Sequence, residues 1–197
     1  SSCCPPAKWS FSAPITVAAE LGKIVSKETK VDESIDILIN NAGITKDAQF
    51  YKMTDEQFDA VINVNLRGNF LMTKAVVPYM MEQKYGKIVH CASVSAYNGN
   101  FGQSNYAASK AAIMGMTRVQ AKELGKYGIN VNAIAPGSIM TDMYAAVPEE
   151  VKQAKLAKIP LRRYGDPRET AQLYAFLASD EASYVTAQTI TIDGGFN

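Results

Sequence analysis

Lys87–Lys110, KIVHCASVSAYNGNFGQSNYAASK, reads as a strand that ends in a turn and passes into a helix. The apolar run Ile88 to Ala92 is strand-like. From Ser104 to Lys126 the Ala, Met and Leu content favours helix, so Tyr106 and Lys110, four apart, share one face. An ammonium beside a phenol favours the phenolate, which makes Tyr106 a candidate acid/base. Ser93 stands at the end of the apolar run, where its hydroxyl can hydrogen-bond a carbonyl oxygen and ease attack by hydride. In a chain with ten tyrosines the Tyr-x-x-x-Lys spacing arises about once by chance, and a solvated lysine at a helix start is the plain alternative. Other stretches must decide.

Working towards the N-terminus, Asp36–Asn40 is a short apolar run that suits a strand buried on both faces, and it leads into Asn41, Ala42 and Gly43. Small residues at a strand's C-terminal end allow a flat ligand to approach; an Asn-rich turn is the other reading. Thr54 to Gln57 has the pattern of a capping box, followed by a long apolar-striped helix running towards Val77. Asn65 falls on that stripe and must satisfy its amide there or mark a kink, and Pro78 suggests a bend or stop. Still earlier, Thr16–Lys30 has the spacing of an amphipathic helix, and Trp9–Ile15 that of a short strand.

Towards the C-terminus, Asn130–Ala135 is a third strand ending in Pro136-Gly137. Asp166-Pro167 with Glu169 begins a helix that reaches Ser179, and Gln188–Asp193 is a last strand. Alternating strands and helices predict a parallel α/β sheet wrapped by helices, with Ser93, Gly43 and Gly137 at one edge.

At 197 residues and 47% hydrophobic content the chain has the size of one domain with a sizeable core. A net charge of +1 without a basic cluster speaks against nucleic acid or an anionic membrane surface as a partner. Three cysteines and one histidine make neither a disulfide framework nor a zinc set, and a cytoplasmic setting is expected. His90 is read as a satisfied or surface-facing strand histidine without a catalytic role.

Taken together, Asn40-Asn41-Ala42-Gly43, Asn65, Ser93, Tyr106-x-x-x-Lys110, Pro136-Gly137 with Thr141, and Asp193-Gly194-Gly195 resemble the short-chain dehydrogenase/reductase family. Asn41–Asp47 and Gly99–Gln103 look most like its branch of 3-oxoacyl-[acyl-carrier-protein] and acetoacetyl-CoA reductases. The resemblance implies a Rossmann-type doubly wound sheet, a nicotinamide coenzyme, NADP(H) or NAD(H) with the former favoured, and a 3-oxoacyl thioester on acyl carrier protein or coenzyme A. It implies that Tyr106 donates the proton, Lys110 holds the nicotinamide ribose and lowers the tyrosine pKa, Ser93 orients the carbonyl, and Asn65 holds a relay water. Asn41, Ala42 and Gly43 would line the adenosine side; Pro136, Gly137, Ile139 and Thr141 would line the nicotinamide side. Val94–Phe101 and Met140–Pro160 would frame the substrate, with Lys46, Arg67 or Arg118 lending charge at the entrance.

The family's opening strand and its T-G-x-x-x-G-x-G turn do not occur in this sequence. The expectation is therefore a single domain over 1–197 that is incomplete at its N-terminus, with roughly 40–50 residues belonging before or within that region, since a βαβ unit takes ~30 or more. A catalytically silent subunit is the alternative. Ala187 stands where the family usually has glycine, and a methyl there would strain a backbone of positive φ. Homodimers or homotetramers are expected through the two long helices, with Met72, Met114 and Met116 turned outward.

Overall fold

The computed structural model describes residues 34–140 and 149–197. Four strands form one sheet in the order β1-β2-β3-β4, all parallel: β1 Ile37–Asn40, β2 Gly86–Cys91, β3 Ile129–Pro136 and β4 Thr189–Ile192. Between β1 and β2 run α1 (Asp55–Val61), a π-helical segment (Ile62–Arg67) and α2 (Gly68–Gln83). The short α3 (Ser95–Asn98) and long α4 (Ser104–Leu124) link β2 to β3. Then come α5 (Glu149–Leu156) and α6 (Pro167–Ala178).

Successive strand side chains point to opposite faces, and here both faces are covered. Ile88 and Val131 pack with Val76 and Met80 of α2 and with Ala121 and Leu124 of α4. On the opposite face, Val89 and Ile134 pack with Leu177 and Tyr174 of α6. These four strand side chains are fully buried, which contributes about 1.5–3 kcal/mol each. The result is the expected doubly wound α/β sheet.

Local signals set the helix starts. Thr54 accepts from the Gln57 amide while the Gln57 side chain accepts from the Thr54 amide, and Asp166 and Glu169 cap α6 with Pro167 in its first turn. Such caps satisfy amide groups that a helix start leaves open.

Several expectations are corrected. Strand β1 is not buried on both faces: Ile37 and Ile39 are exposed, because among the described residues β1 is outermost and pairs only with β2. Helix α2 does not stop at Pro78 but continues to Gln83; Pro78 lies on the exposed side, where water can serve the carbonyl its ring displaces. Helix α4 ends at Leu124, and a 3-10 turn takes over at Gly125. Met114 does not face outward: it is in the core with Ala92, Ile113 and Ala133, while Met72 and Met116 are half-buried. The Thr16–Lys30 helix, the Trp9–Ile15 strand and Thr141 lie outside the described residues. Ala187 does adopt the left-handed conformation, with φ of 63°, while its amide donates to Val131 O at 2.8 Å.

Candidate active site

The site forms where β2 and β3 end. Ala92 donates to Ile134 O (2.7 Å) and Val94 to Pro136 O (3.1 Å), so the ladder continues past β2 and holds Ser93 between two tied residues. The buried Ser93 hydroxyl accepts from the Ser95 amide at 3.2 Å.

Helix α4 brings Tyr106 and Lys110 to the same place. Its start is fixed by Asn105, which is fully buried: its Oδ1 accepts from the Tyr106 amide (2.7 Å), and its Nδ2 donates to Lys46 O (3.0 Å) and Gln57 O (3.1 Å). Asn105 thus ties the tyrosine to the loop after β1 and to α1. Reading the sequence missed it; the signal was a polar amide beside Tyr106 at a helix start that had no Ser, Thr or Asp cap of its own.

Lys110 is almost wholly buried. Its ammonium donates to Cys91 O at 2.6 Å and stands 5.5 Å from the centroid of the Tyr106 ring. Burial pushes the lysine below its ordinary pKa, partly offset by the neighbouring Cys91. Burial likewise pushes Tyr106 above its ordinary value, helped by Cys91 and opposed by the neighbouring Ser93 hydroxyl. This reverses the depression expected from the four-residue spacing. The ammonium stands over the ring and spends a hydrogen on a peptide carbonyl, so desolvation of the phenolate dominates.

Asn65 enters from the π segment, 1% exposed. Its Oδ1 accepts from Ile44 N (2.8 Å), and its Nδ2 donates to Ile44 O (3.1 Å) and Ser109 Oγ (3.2 Å). The Ser109 hydroxyl donates on to Tyr106 O at 2.7 Å. Gly43 completes the group: a methyl added there would stand 3.5 Å from both Asn65 Oδ1 and Lys110 Nζ, so its absence leaves room beside the ammonium.

Asn65, Ser93, Tyr106, Lys110 and Gly43 are therefore brought together. Asn41 is exposed and Ala42 half-buried on the approach to Gly43. Pro136 reaches the group through the Val94 amide. Gly137 packs so closely on Asp193 that a methyl would lie 2.5 Å from its Cβ. Ile139 bridges to Gly165 beside an open cleft of about 560 Å³ walled by Met140, Leu156, Arg162, Tyr164 and Pro167. Lys46, Arg67 and Arg118 are exposed.

Residues 6–197 match the family model described as enoyl-(acyl carrier protein) reductase. The chain is 52% identical over 181 residues to the 3-oxoacyl-[acyl-carrier-protein] reductase of Thermotoga maritima, a match covering 92% of this chain and 74% of that protein. The chain belongs to the short-chain dehydrogenase/reductase family. It is also 46% identical over 176 residues to the enzyme of the same name from Rickettsia felis, covering 89% and 71% of the two chains. With the acetoacetyl-CoA reductase of Shinella zoogloeoides it shares 49% identity over 162 residues, covering 82% and 67%.

As a member of that family the protein is an oxidoreductase that works with a nicotinamide coenzyme. The side chains fit such a group. Gly43 is exposed and carries no side chain, so a flat ring or ribose can approach the turn beside Asn65 and Lys110. Among the described residues no helix is long and apolar enough to cross a membrane.

Proposed function

We propose that the protein reduces the ketone of a 3-oxoacyl thioester carried on acyl carrier protein or coenzyme A, with NADP(H) as the preferred coenzyme. The observation that carries this reading is the buried Lys110 ammonium 5.5 Å from the centroid of the Tyr106 ring, at the end of the strand that leads into the buried Ser93. The Ser93 and Tyr106 hydroxyls can both donate to one acceptor, and a ketone oxygen is such an acceptor. The relatives named for 3-oxoacyl and acetoacetyl thioesters supply the substrate class.

In this mechanism the coenzyme supplies a hydride when bound. Asn41, Ala42 and Gly43 hold its adenosine side, and Pro136, Gly137, Ile139 and Thr141 its nicotinamide side. Ser93 donates to the ketone oxygen and aligns it. Tyr106 gives that oxygen its phenolic proton as negative charge grows there, a step whose energy falls if the phenolate is stabilised. Lys110 does this by turning from Cys91 O to the ribose and holding its positive charge near the phenol. Asn65, which already grips both polar groups of Ile44, holds the water that returns the proton.

NADPH oxidation by the purified protein tests the reading. Acetoacetyl-CoA should be turned over faster than crotonyl-CoA, cyclic ketones or sugars, and NADPH should serve better than NADH. Activity confined to the alkene or to the cyclic ketones overturns it. A catalytically silent role is disfavoured by the retained Ser93, Tyr106 and Lys110.

The same reading includes assembly through α1, α2 and α4, supported by the exposed Phe58, Phe70 and Val119. A monomeric mass by light scattering at micromolar concentration would remove that part.

A further inference from the structure

His90 is fully buried in β2, yet its two ring nitrogens are both engaged. The hydrogen bonds around it run in one direction only. The Thr73 hydroxyl gives its proton to Asn69 O (2.9 Å), so its oxygen must accept from Asn40 Nδ2 (3.0 Å). That identifies the nitrogen of the Asn40 carboxamide, whose other hydrogen points to His90 Nδ1 at 3.1 Å. Nδ1 must then be the acceptor. The ring proton sits on Nε2 and goes to Gln120 Oε1 at 2.8 Å.

This chain of donors crosses four elements: α2 at Thr73, β1 at Asn40, β2 at His90 and α4 at Gln120. Asn40 is the last residue of β1, paired with His90 in the ladder, and the next residues are Asn41, Ala42 and Gly43. Gln120 belongs to the helix that carries Tyr106 and Lys110. The strand end before the coenzyme turn is therefore fastened sideways to the catalytic helix through one imidazole.

We propose that His90, as the neutral Nε2–H tautomer, is a positioning residue for the coenzyme: it fixes the Asn40 carboxamide and with it the turn Asn41–Gly43. The proposal rests on the functional reading above, in which that turn holds the adenosine side.

Two substitutions separate the ring's two contacts. His90→Asn keeps an acceptor near the Nδ1 position and gives up the contact to Gln120. His90→Gln keeps a donor near the Nε2 position and gives up the acceptor for Asn40. Steady-state kinetics should show the coenzyme KM of His90→Gln raised about tenfold, with kcat at saturating coenzyme and the ketone KM within about twofold of wild type. His90→Asn should keep its coenzyme KM within about twofold. A role in packing alone moves the Tm of both variants and leaves this ordering absent. An unchanged coenzyme KM in His90→Gln, or equal increases in both variants, overturns the inference while the functional reading stands. A wild-type protein without coenzyme-dependent reduction takes down both. Nitrogen-15 NMR of the wild-type imidazole gives a check that depends on neither variant folding: the proton must be on Nε2, and a proton on Nδ1 overturns the proposal.

Discussion

The Asn65 carboxamide grips the Ile44 peptide by both polar groups, accepting from its N–H at 2.8 Å and donating to its C=O at 3.1 Å. A side chain here does what a neighbouring strand does elsewhere, and it does so just past Gly43. In Asn65→Ala both Ile44 groups lose a partner in a half-buried setting, at a cost of about 1–3 kcal/mol. Asn65→Asp should be no better, because it turns an oxygen towards Ile44 O and Ser109 Oγ. Urea unfolding and kcat together check this: both variants should lose stability and turn over about 10–100-fold more slowly, the range for a misplaced catalytic geometry.

Tyr106→Phe removes the proposed proton donor and keeps the ring. Turnover of the ketone should fall about 10²–10⁴-fold with an unchanged circular dichroism spectrum. Near-normal turnover on a verified substrate would falsify the assignment.

His90 makes stability depend on pH. Burial holds its imidazole down at about 4 from an ordinary value of 6.5, with the Gln120 hydrogen bond pulling the other way. The groups hydrogen-bonded around it, Asn40, Thr73 and Gln120, are all neutral. Between these pH values the unfolded chain binds the proton and the folded chain does not. The contribution is therefore complete above pH 6.5 and is lost as pH falls towards 4, by at most about 3 kcal/mol. Urea midpoints from pH 7 to 4.5 should drop less steeply in His90→Asn than in wild type; parallel curves would contradict the assignment.

Ala187 is held at φ 63°, where a Cβ costs about 1–2 kcal/mol. Glycine relieves this but frees the unfolded chain, an opposing effect of about 0.4–1 kcal/mol. Ala187→Gly should raise stability by about 0.5–1 kcal/mol, visible as a higher Tm. A lower Tm would mean that the methyl's packing against the Ile88 and Val131 cluster outweighs the strain.

Much of this was legible in the sequence because it depends on local chemistry. Apolar runs such as Ile88–Ala92, the Thr54–Gln57 and Asp166–Glu169 caps and the 93/106/110 spacing each carry their own signal. What the sequence hid depends on distant neighbours. The Lys110 ammonium faces a carbonyl nineteen residues away, which no helical spacing reveals, and with it goes the direction of the Tyr106 shift. Asn105 draws its meaning from Lys46 and Gln57, and Met114 from Ala92 and Ala133 across the sheet. The short apolar run of β1 looked buried on both faces because an edge strand and a central one can share the same letters.

The π segment at Ile62–Arg67 makes Asn65 a matter of counting as well as of identity. Each residue in a regular helix turns the chain by about 100°. Remove one residue from the widened turn, and it closes into an ordinary helical turn in which α1 and α2 keep their phase while the residues of the segment itself change direction. α2 can then keep Val76 and Met80 on the sheet, but Asn65 swings away from Ile44 and Ser109. Length at this point is thus as constrained as chemistry: a one-residue deletion between Ile62 and Arg67 should be worse tolerated than most substitutions within it.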